Sequence, residues 1–500
     1  MNFQNIPNNL SVPLFFGEFD NSQANTATTV QRTLIMGMVT TAGTVAGDGA
    51  SVPVPVSSAA QAALLAGAGS ELHLMAQAYF QNDISGSVYL LPLSDAGDGM
   101  TAAGGKVTVT AAPTATGVIS LYIAGIRLQV MVMKGEPVAT VAKALSDAIN
   151  AAPALPVTAT VAEAVVTLTA RNKGLTGNDI DLRLNWLGVP GGESTPEGLA
   201  LTLTAMSGGQ GTPPVGTALA QVGDTGFDFI VSPYTDTASL DAVKAFLSDK
   251  TGRWSYASQL YGHAFGALKG TYGSLTAAGE ARNDQHASLL GVNNSPSPAC
   301  VWAAAVTGAV AGSLRNDPGR PLQTLAVAGV LAPPSASRFM LTERNNLLHS
   351  GISTFTVADD GTAQVENLIT TYQKNGYGNP DNSYLQVETL FTLMFVMRYL
   401  RTQITSKFAR MKLSRDGTRF APGIAVVTPS VIRAELIAQY HYLEYNGYVQ
   451  DAAAFAKGLQ VQQDSSNPNR VNVLWTGTLI NQLRILALIN QFRLMAAQEG

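Results

Sequence analysis

The sequence predicts an α/β multidomain protein: an α/β core domain with an inserted, mostly-β domain, then an α+β C-terminal domain, with an extended arm at each end. Three observations predict it. Apolar strand-like runs alternate with Ala-rich helical ones, composition changes abruptly between "SVYLLPL" and "FDFIVSPY", and strong helix signals gather near the C-terminus. A chain of 500 residues, 46% of them hydrophobic and only 13% charged, can bury several cores.

Residues 1–28 combine Pro7 and Pro13 with the apolar cluster Leu14, Phe15, Phe16 and Phe19, which reads as an extended arm that needs a surface to lie on. The core domain spans 29–94 and 212–335. "VQRTLIMGMV", "SVYLLPL" and "FDFIVSPY" are its strands, and "SSAAQAALLAG" and "TASLDAVKAFLSDKTG" are helices. Gly-rich edges, "SDAGDGMTAAGG" and "SGGQGTPPVG", mark the inserted domain at 95–211. Inside it "KVTVTA", "VISLYIAGIRLQVMVM", "VTATVAEAVVTLTA", "DIDLRLNW" and "LALTLTAM" alternate at period two, while "PVATVAKALSDAINA" has helical spacing. Flexible Gly-rich joints would let this module hang outward from a core that closes without it. The C-terminal domain spans 336–478. Asn379 and Pro380 are expected to open a helix running to about Phe408. Thr428 as N-cap and Pro429 at the first turn open another, with Ile432, Leu436, Tyr440 and Leu443 on one face and Asn446-Gly447 as its stop. "LQVQQDSSNPNRVNVLWTG" follows as a hairpin, and 479–500 form the C-terminal arm.

Chemistry of the usual kinds is absent. Gly105-Lys106 in "GDGMTAAGGKVT" lacks the upstream glycine and the hydroxyl residue of a phosphate loop, and "GAGSEL" lacks the third glycine of a dinucleotide fingerprint. His73, His263, His286, His349 and His441 are scattered singly, so neither a metal site nor another cofactor is expected. Cys300, the only cysteine, sits among small apolar residues with no basic neighbour and reads as a buried, inert thiol in a chain made in a reducing cytoplasm. No catalytic residue is assigned. A net charge of −4 argues against a nucleic-acid partner, and the longest strongly apolar run, "LFTLMFVM", is too short for membrane insertion. The N-terminus has no secretory-signal pattern.

The aromatic N-terminal arm, the Gly-rich insertion and the C-terminal helix, hairpin and final apolar stretch together resemble contractile-tail sheath proteins. "PLFFGEFDNSQA" and "NPNRVNVLWTGTLINQLRILALINQFRL" are similar to the Mu-like branch of that family. The resemblance covers essentially the whole chain and is weakest in the insertion. It implies a helical polymer of hexameric rings around a tail tube, which contracts to drive the tube through the host envelope, with no catalysis. It also implies a virion-tail location, assembly in the host bacterial cytoplasm, and the tail tube, baseplate and tail terminator proteins as partners beside other sheath subunits.

The resemblance implies strand-exchanging terminal arms. Phe15, Phe16 and Phe19 at one end and Leu483, Ile485, Ala487 and Ile489 at the other reach a neighbour, and Val461, Val471 and Val473 belong to the accepting hairpin. Main-chain pairing at a free edge supplies the physical basis. The residues themselves leave two readings of 479–492 open, since Leu479, Leu483, Leu486 and Asn490 also fit a helix. The resemblance favours a strand.

From Arg398 to Arg419 seven basic residues stand against the single acid Asp416. Some are expected to stabilise a helix C-terminus or face solvent. Because the resemblance places this end of the chain against the tube, Lys407, Arg410 and Lys412 are assigned to an acidic tube surface. Two other functions stay open on sequence alone: a soluble α/β enzyme whose site forms only in the fold, and an adhesive or carbohydrate-binding role for 95–211.

Overall fold

The computed structural model describes residues 30–45, 52–421 and 423–494. The N-terminal arm with Phe15, Phe16 and Phe19 lies outside the described residues. The strand Arg32–Met38 is apolar on both faces, and Leu34, Ile35, Met36 and Met38 are completely buried, as a strand covered by helices on two sides must be. It lies within a six-stranded sheet of spatial order Ala287–Val292, His263–Lys269, Phe229–Val231, Arg32–Met38, Ser87–Leu93, Val54–Val56. The first five strands are parallel and the last is antiparallel. Helices Glu71–Phe80 and Ala299–Asn316 contribute to the core on one face, and Val215–Ala220 and Thr237–Leu247 to that on the other. The first two press together closely. A Cβ on Gly308 would come within 2.6 Å of the Tyr79 carbonyl oxygen, so this helix crossing needs glycine.

Residues 102–207 build a second body. Ala200–Ser207, Ala102–Ala111, Val165–Lys173 and Val157–Ala162 form one antiparallel sheet. Ile126–Val132, Gly117–Ile123 and Leu182–Leu184 form another. The helix Val138–Asn150 turns Val141, Leu145 and Ile149 into a core drawn from 103–206. The run "VISLYIAGIRLQVMVM" folds back on itself because Ala124 and Gly125 both take positive φ, 53° and 79°, the geometry of a two-residue hairpin loop.

This body does not hang from loose joints. Its two connections pair with each other through Thr101 and Gln210. It is also docked on the parallel sheet: Asn172 Nδ2 donates to the Val39 carbonyl at 2.8 Å, and the Glu71 amide donates to Asn172 Oδ1 at 2.9 Å. Arg183 reaches the Asn294 carbonyl at 2.9 Å. Composition revealed the glycines at the edges but not the polar pairs that fasten the face between them.

The first core continues past residue 335. Strands Ala326–Val327, Ala363–Asn367 and Thr354–Val357 make a small sheet, and Val327, Ala363, Val365 and Leu368 join the core under the parallel sheet. The next helix starts at Val387, not at Asn379-Pro380, and ends at Phe408 as expected. Residues 379–386 are held otherwise. Asp381 accepts from Tyr372 Oη at 2.8 Å and from the Ser383 amide at 2.9 Å, and the Thr370 amide donates to the Leu385 carbonyl. The front half of Val387–Phe408 buries Val387, Phe391 and Met394 in the first core, while Val396 lies in a separate core with Ile432, Leu436, Tyr440 and Leu443 of helix Pro429–Tyr445. Helix Pro429–Tyr445 has the expected start and stop, with Gly447 at φ 77° just beyond it.

Candidate interaction surfaces at the C-terminal end

The hairpin forms as expected: Gln460–Gln463 pairs antiparallel with Val471–Leu474, with Val461 opposite Val473 and Gln463 opposite Val471. Asp464 shapes its turn, accepting from the amides of Ser466 at 2.8 Å and Asn467 at 2.9 Å and from Asn472 Nδ2 at 2.8 Å. Bonds from the Ser466 hydroxyl, from Asn472 and from those amides hold its carboxyl well below the usual carboxylate range. Val461 and Val471 are half-buried against the helices, and Val473 is exposed. Among the described residues this sheet has only two strands, so both outer edges keep free N–H and C=O groups.

The chain then passes through three attachments. Trp475 packs on Tyr440 and Phe455, and its ring lies where a Cβ on Gly477 would stand, which explains the Trp-Thr-Gly sequence. Thr478–Leu479 pairs antiparallel with Val449–Gln450, and the Ile480 amide donates to the Tyr448 carbonyl. Finally, Arg484 donates to Glu388 Oε1 at 2.6 Å and to Gln386 Oε1 at 2.8 Å, while Gln323 Nε2 donates to the Leu483 carbonyl at 3.2 Å.

Among the described residues the chain beyond Arg484 is free. Among the described residues no hydrogen bond joins 485–494 to the rest, and no helix or ladder forms there. Ile485, Ile489 and Phe492 are 84%, 86% and 76% exposed; Leu483 and Ala487 are exposed as well. The helical reading of 479–492 is therefore not realised. The strand reading is realised within the chain only at Leu479.

The basic stretch divides. Arg398 is internal: its guanidinium pairs with buried Asp228 and donates to the Leu260 carbonyl at 3.0 Å. Lys407 closes onto Glu435 at 2.7 Å. Arg410 and Lys412 are exposed and make no ion pair among the described residues, and Met411, Phe420 and Ile424 are exposed near them in sequence. Asp416, the one acid here, accepts from the Ser430 amide at 3.0 Å and so caps helix Pro429–Tyr445 in place of the Thr428 side chain. Sequence reasoning missed this cap, as it missed Arg484 with Glu388. A lone charge set in each of two apolar runs was the available signal.

The place where an α/β enzyme would bind its substrate is filled. Open parallel sheets take ligands beyond the C-terminal strand ends, where strand order reverses, here between Arg32–Met38 and Phe229–Val231. Glu71 occupies that crevice. Its Oε2 accepts from the Met38 amide at 3.0 Å and from Tyr234 Oη at 2.7 Å, and Asn172 closes the top. Burial pushes the Glu71 carboxyl and the Tyr234 hydroxyl up, and does the same to the nearby Cys300 thiol. Among the described residues no group of acids, histidines or cysteines gathers to hold a metal, and no helix is long and apolar enough to cross a membrane.

Residues 208–371 match the family described as phage tail sheath protein central domain, and 379–493 match the phage tail sheath C-terminal domain. The chain is 43% identical over 494 residues to the Mu-like prophage FluMu tail sheath protein of Haemophilus influenzae, covering 98% of this chain and 99% of that protein. Among solved structures it is similar to a sheath tail protein from Desulfitobacterium hafniense, with 15% identity, TM-score 0.48, and coverage of 94% and 97% of the two chains. It is also similar to the PVC sheath of an extracellular contractile injection system in its contracted state, with 12% identity, TM-score 0.49, and coverage of 98% and 99%. With two sheath domains matched and a relative this near over almost its full length, the chain belongs to the phage tail sheath proteins, on their Mu-like side, and is a structural protein of the contractile tail, not an enzyme.

Proposed function

We propose that this chain polymerises as a helical stack of hexameric rings around a tail tube, and that the stack contracts to drive the tube through the host envelope. Subunits assemble in the host cytoplasm and end in the virion tail, between baseplate and terminator proteins. The observation that carries the reading is the apolar strip 485–494, exposed and without a hydrogen bond to the rest of the described residues, beside a hairpin that has two strands among those residues. At about 3.3 Å per residue ten such residues reach roughly 33 Å, enough to leave their own domain.

In this reading Ile485, Ala487 and Ile489, with Leu483 at the root of the strip and Phe15, Phe16 and Phe19 of the N-terminal arm, complete the sheet on a neighbour's hairpin at Val461, Val471 and Val473. Lys407, Arg410 and Lys412 face the tube, each exposed ion pair contributing only about 0–1 kcal/mol but repeated in every subunit. Lys407 already has Glu435 as a partner, so Arg410 and Lys412 carry more of this contact. The insertion projects outward and takes no part in the ring joint.

Truncation after Arg484 tests the reading, because it removes the free strip and spares every attachment before it. The truncated chain should keep its circular dichroism spectrum and sediment as a subunit, while the full chain forms tubes visible by negative stain. Tubes from the truncated chain would overturn strand exchange as the joint.

A further inference from the structure

We propose that Arg484 is the anchor that fixes where the C-terminal arm leaves its own subunit, so that the segment offered to a second copy of this chain begins at Ile485. The inference rests on the strand-exchange reading above for its purpose, and on the geometry of the single chain for its location.

The side chains of 482–485 are arranged the wrong way round for a segment lying on its own protein. Gln482 and Arg484 turn inward, Arg484 with 16% of its side chain exposed, while Leu483 and Ile485 face outward. Burying polar groups and exposing apolar ones is unfavourable in isolation. It is the expected arrangement of a segment whose outer face is to be covered by something else, provided its inward side is held; Gln482 Nε2 is buried without a partner among the described residues, so the hold falls on Arg484.

Arg484 finds one. Glu388 is completely buried in the first turn of helix Val387–Phe408, where the helix dipole favours a negative charge. Its Oε1 accepts from Arg484 at 2.6 Å and from the Leu322 amide at 2.9 Å. A buried carboxylate without a cation is strongly unfavourable, so the guanidinium is held by a requirement of the interior as well as by its own bonds. The anchor point also matters mechanically. Helix Val387–Phe408 buries residues in both the sheet core and the C-terminal core. A pull on the arm through Arg484 therefore reaches the element that spans both, instead of peeling away the two-residue strand Thr478–Leu479.

The test uses pairs of spin labels on the full-length chain kept unassembled, with Lys457→Cys as the reference; the native Cys300 is buried. The distance from 457 to Leu483→Cys should be narrowly distributed and that to Leu488→Cys broad. Arg484→Gln should broaden the first to resemble the second. Glu388→Gln with Arg484→Gln should do the same without leaving a lone buried charge, and Glu388→Arg with Arg484→Glu should restore the narrow distribution. A 457 to Val431→Cys pair should not change in any variant, which separates release of the arm from general loosening. A 457 to 483 distribution that stays narrow in both Gln variants, or a 457 to 488 distribution already narrow in the parent, would overturn the anchor. If the arm loosens as described but chains truncated after Arg484 still form tubes, the anchor stands and strand exchange falls.

Discussion

The insertion and the C-terminal arm are fastened in opposite ways. The insertion has a complete core and is docked by buried polar pairs at the crevice of the parallel sheet, where Asn172 and Glu71 satisfy each other's neighbourhood. The arm has no core, exposes its apolar residues, and is tied at its root. The difference teaches which part is free to find a partner. A body whose polar and apolar groups are already satisfied moves with whatever carries it, whereas a strip with unsatisfied apolar surface and free backbone groups gains by joining another chain.

The sharpest way to break the comparison is to unfasten the insertion. Asn172→Ala would leave the Glu71 amide and the Val39 carbonyl buried without partners, at about 1–3 kcal/mol each. A loss of about 3 kcal/mol in unfolding stability is expected, read as a lower urea midpoint with an unchanged slope. A near-neutral result would mean that water enters this face and that the insertion is held loosely after all.

Acid should tell the insertion's docking face from the hairpin that precedes the arm, with a smaller effect. Burial raises the Glu71 carboxyl, and the negative charge of Asp179 adds to this, against hydrogen bonds from the Met38 amide, Thr176 and Tyr234 that lower it. A carboxyl whose folded value lies above its ordinary 4.5 contributes stability that is complete below 4.5 and is lost as pH rises through the folded value. Asp464 in the hairpin turn has the opposite sign. It contributes stability above its ordinary 3.8, lost as pH falls through its folded value. Mild acid should therefore tighten the packing around Glu71, and only stronger acid, below 3.8, should weaken the hairpin turn. Urea midpoints between about pH 2 and about pH 7 measure it, and Glu71→Gln, which mimics the proton-carrying form, should flatten the Glu71 part of the profile.

What the sequence made legible was local. Apolar runs located three of the five parallel strands but not His263–Lys269 or Ala287–Val292, and Thr428-Pro429 with Asn446-Gly447 bounded a helix correctly. Cues that tertiary contacts redirect were misleading. Asn379-Pro380 looked like a helix start until Tyr372 and Thr370 claimed the residues after it. Arg398 and Lys407 read only as members of a basic stretch because their partners Asp228 and Glu435 lie 170 and 28 residues away. The fastenings themselves, Glu71 with Asn172 and Glu388 with Arg484, are 101 and 96 residues apart and follow no periodicity. For the last stretch, period-two and helical spacing coexisted, and the chain alone adopts neither beyond Leu479.

The smallest expected effect on the subunit carries the most information about the polymer. Ile485→Ser with Ile489→Ser alters two residues that are more than four-fifths exposed, so the stability of the isolated chain should change by less than about 0.5 kcal/mol. If the strip pairs with a neighbouring hairpin, however, these side chains lie on a covered face, and burying each is worth about 1.5–3 kcal/mol in every joint. Tube formation should then need a much higher protein concentration, or fail, at an unchanged urea midpoint. A lower midpoint would show that the strip packs on its own subunit, removing the contrast with the insertion. Unchanged tubes at an unchanged midpoint would leave strand pairing to the backbone and place the bonding side chains elsewhere on the arm.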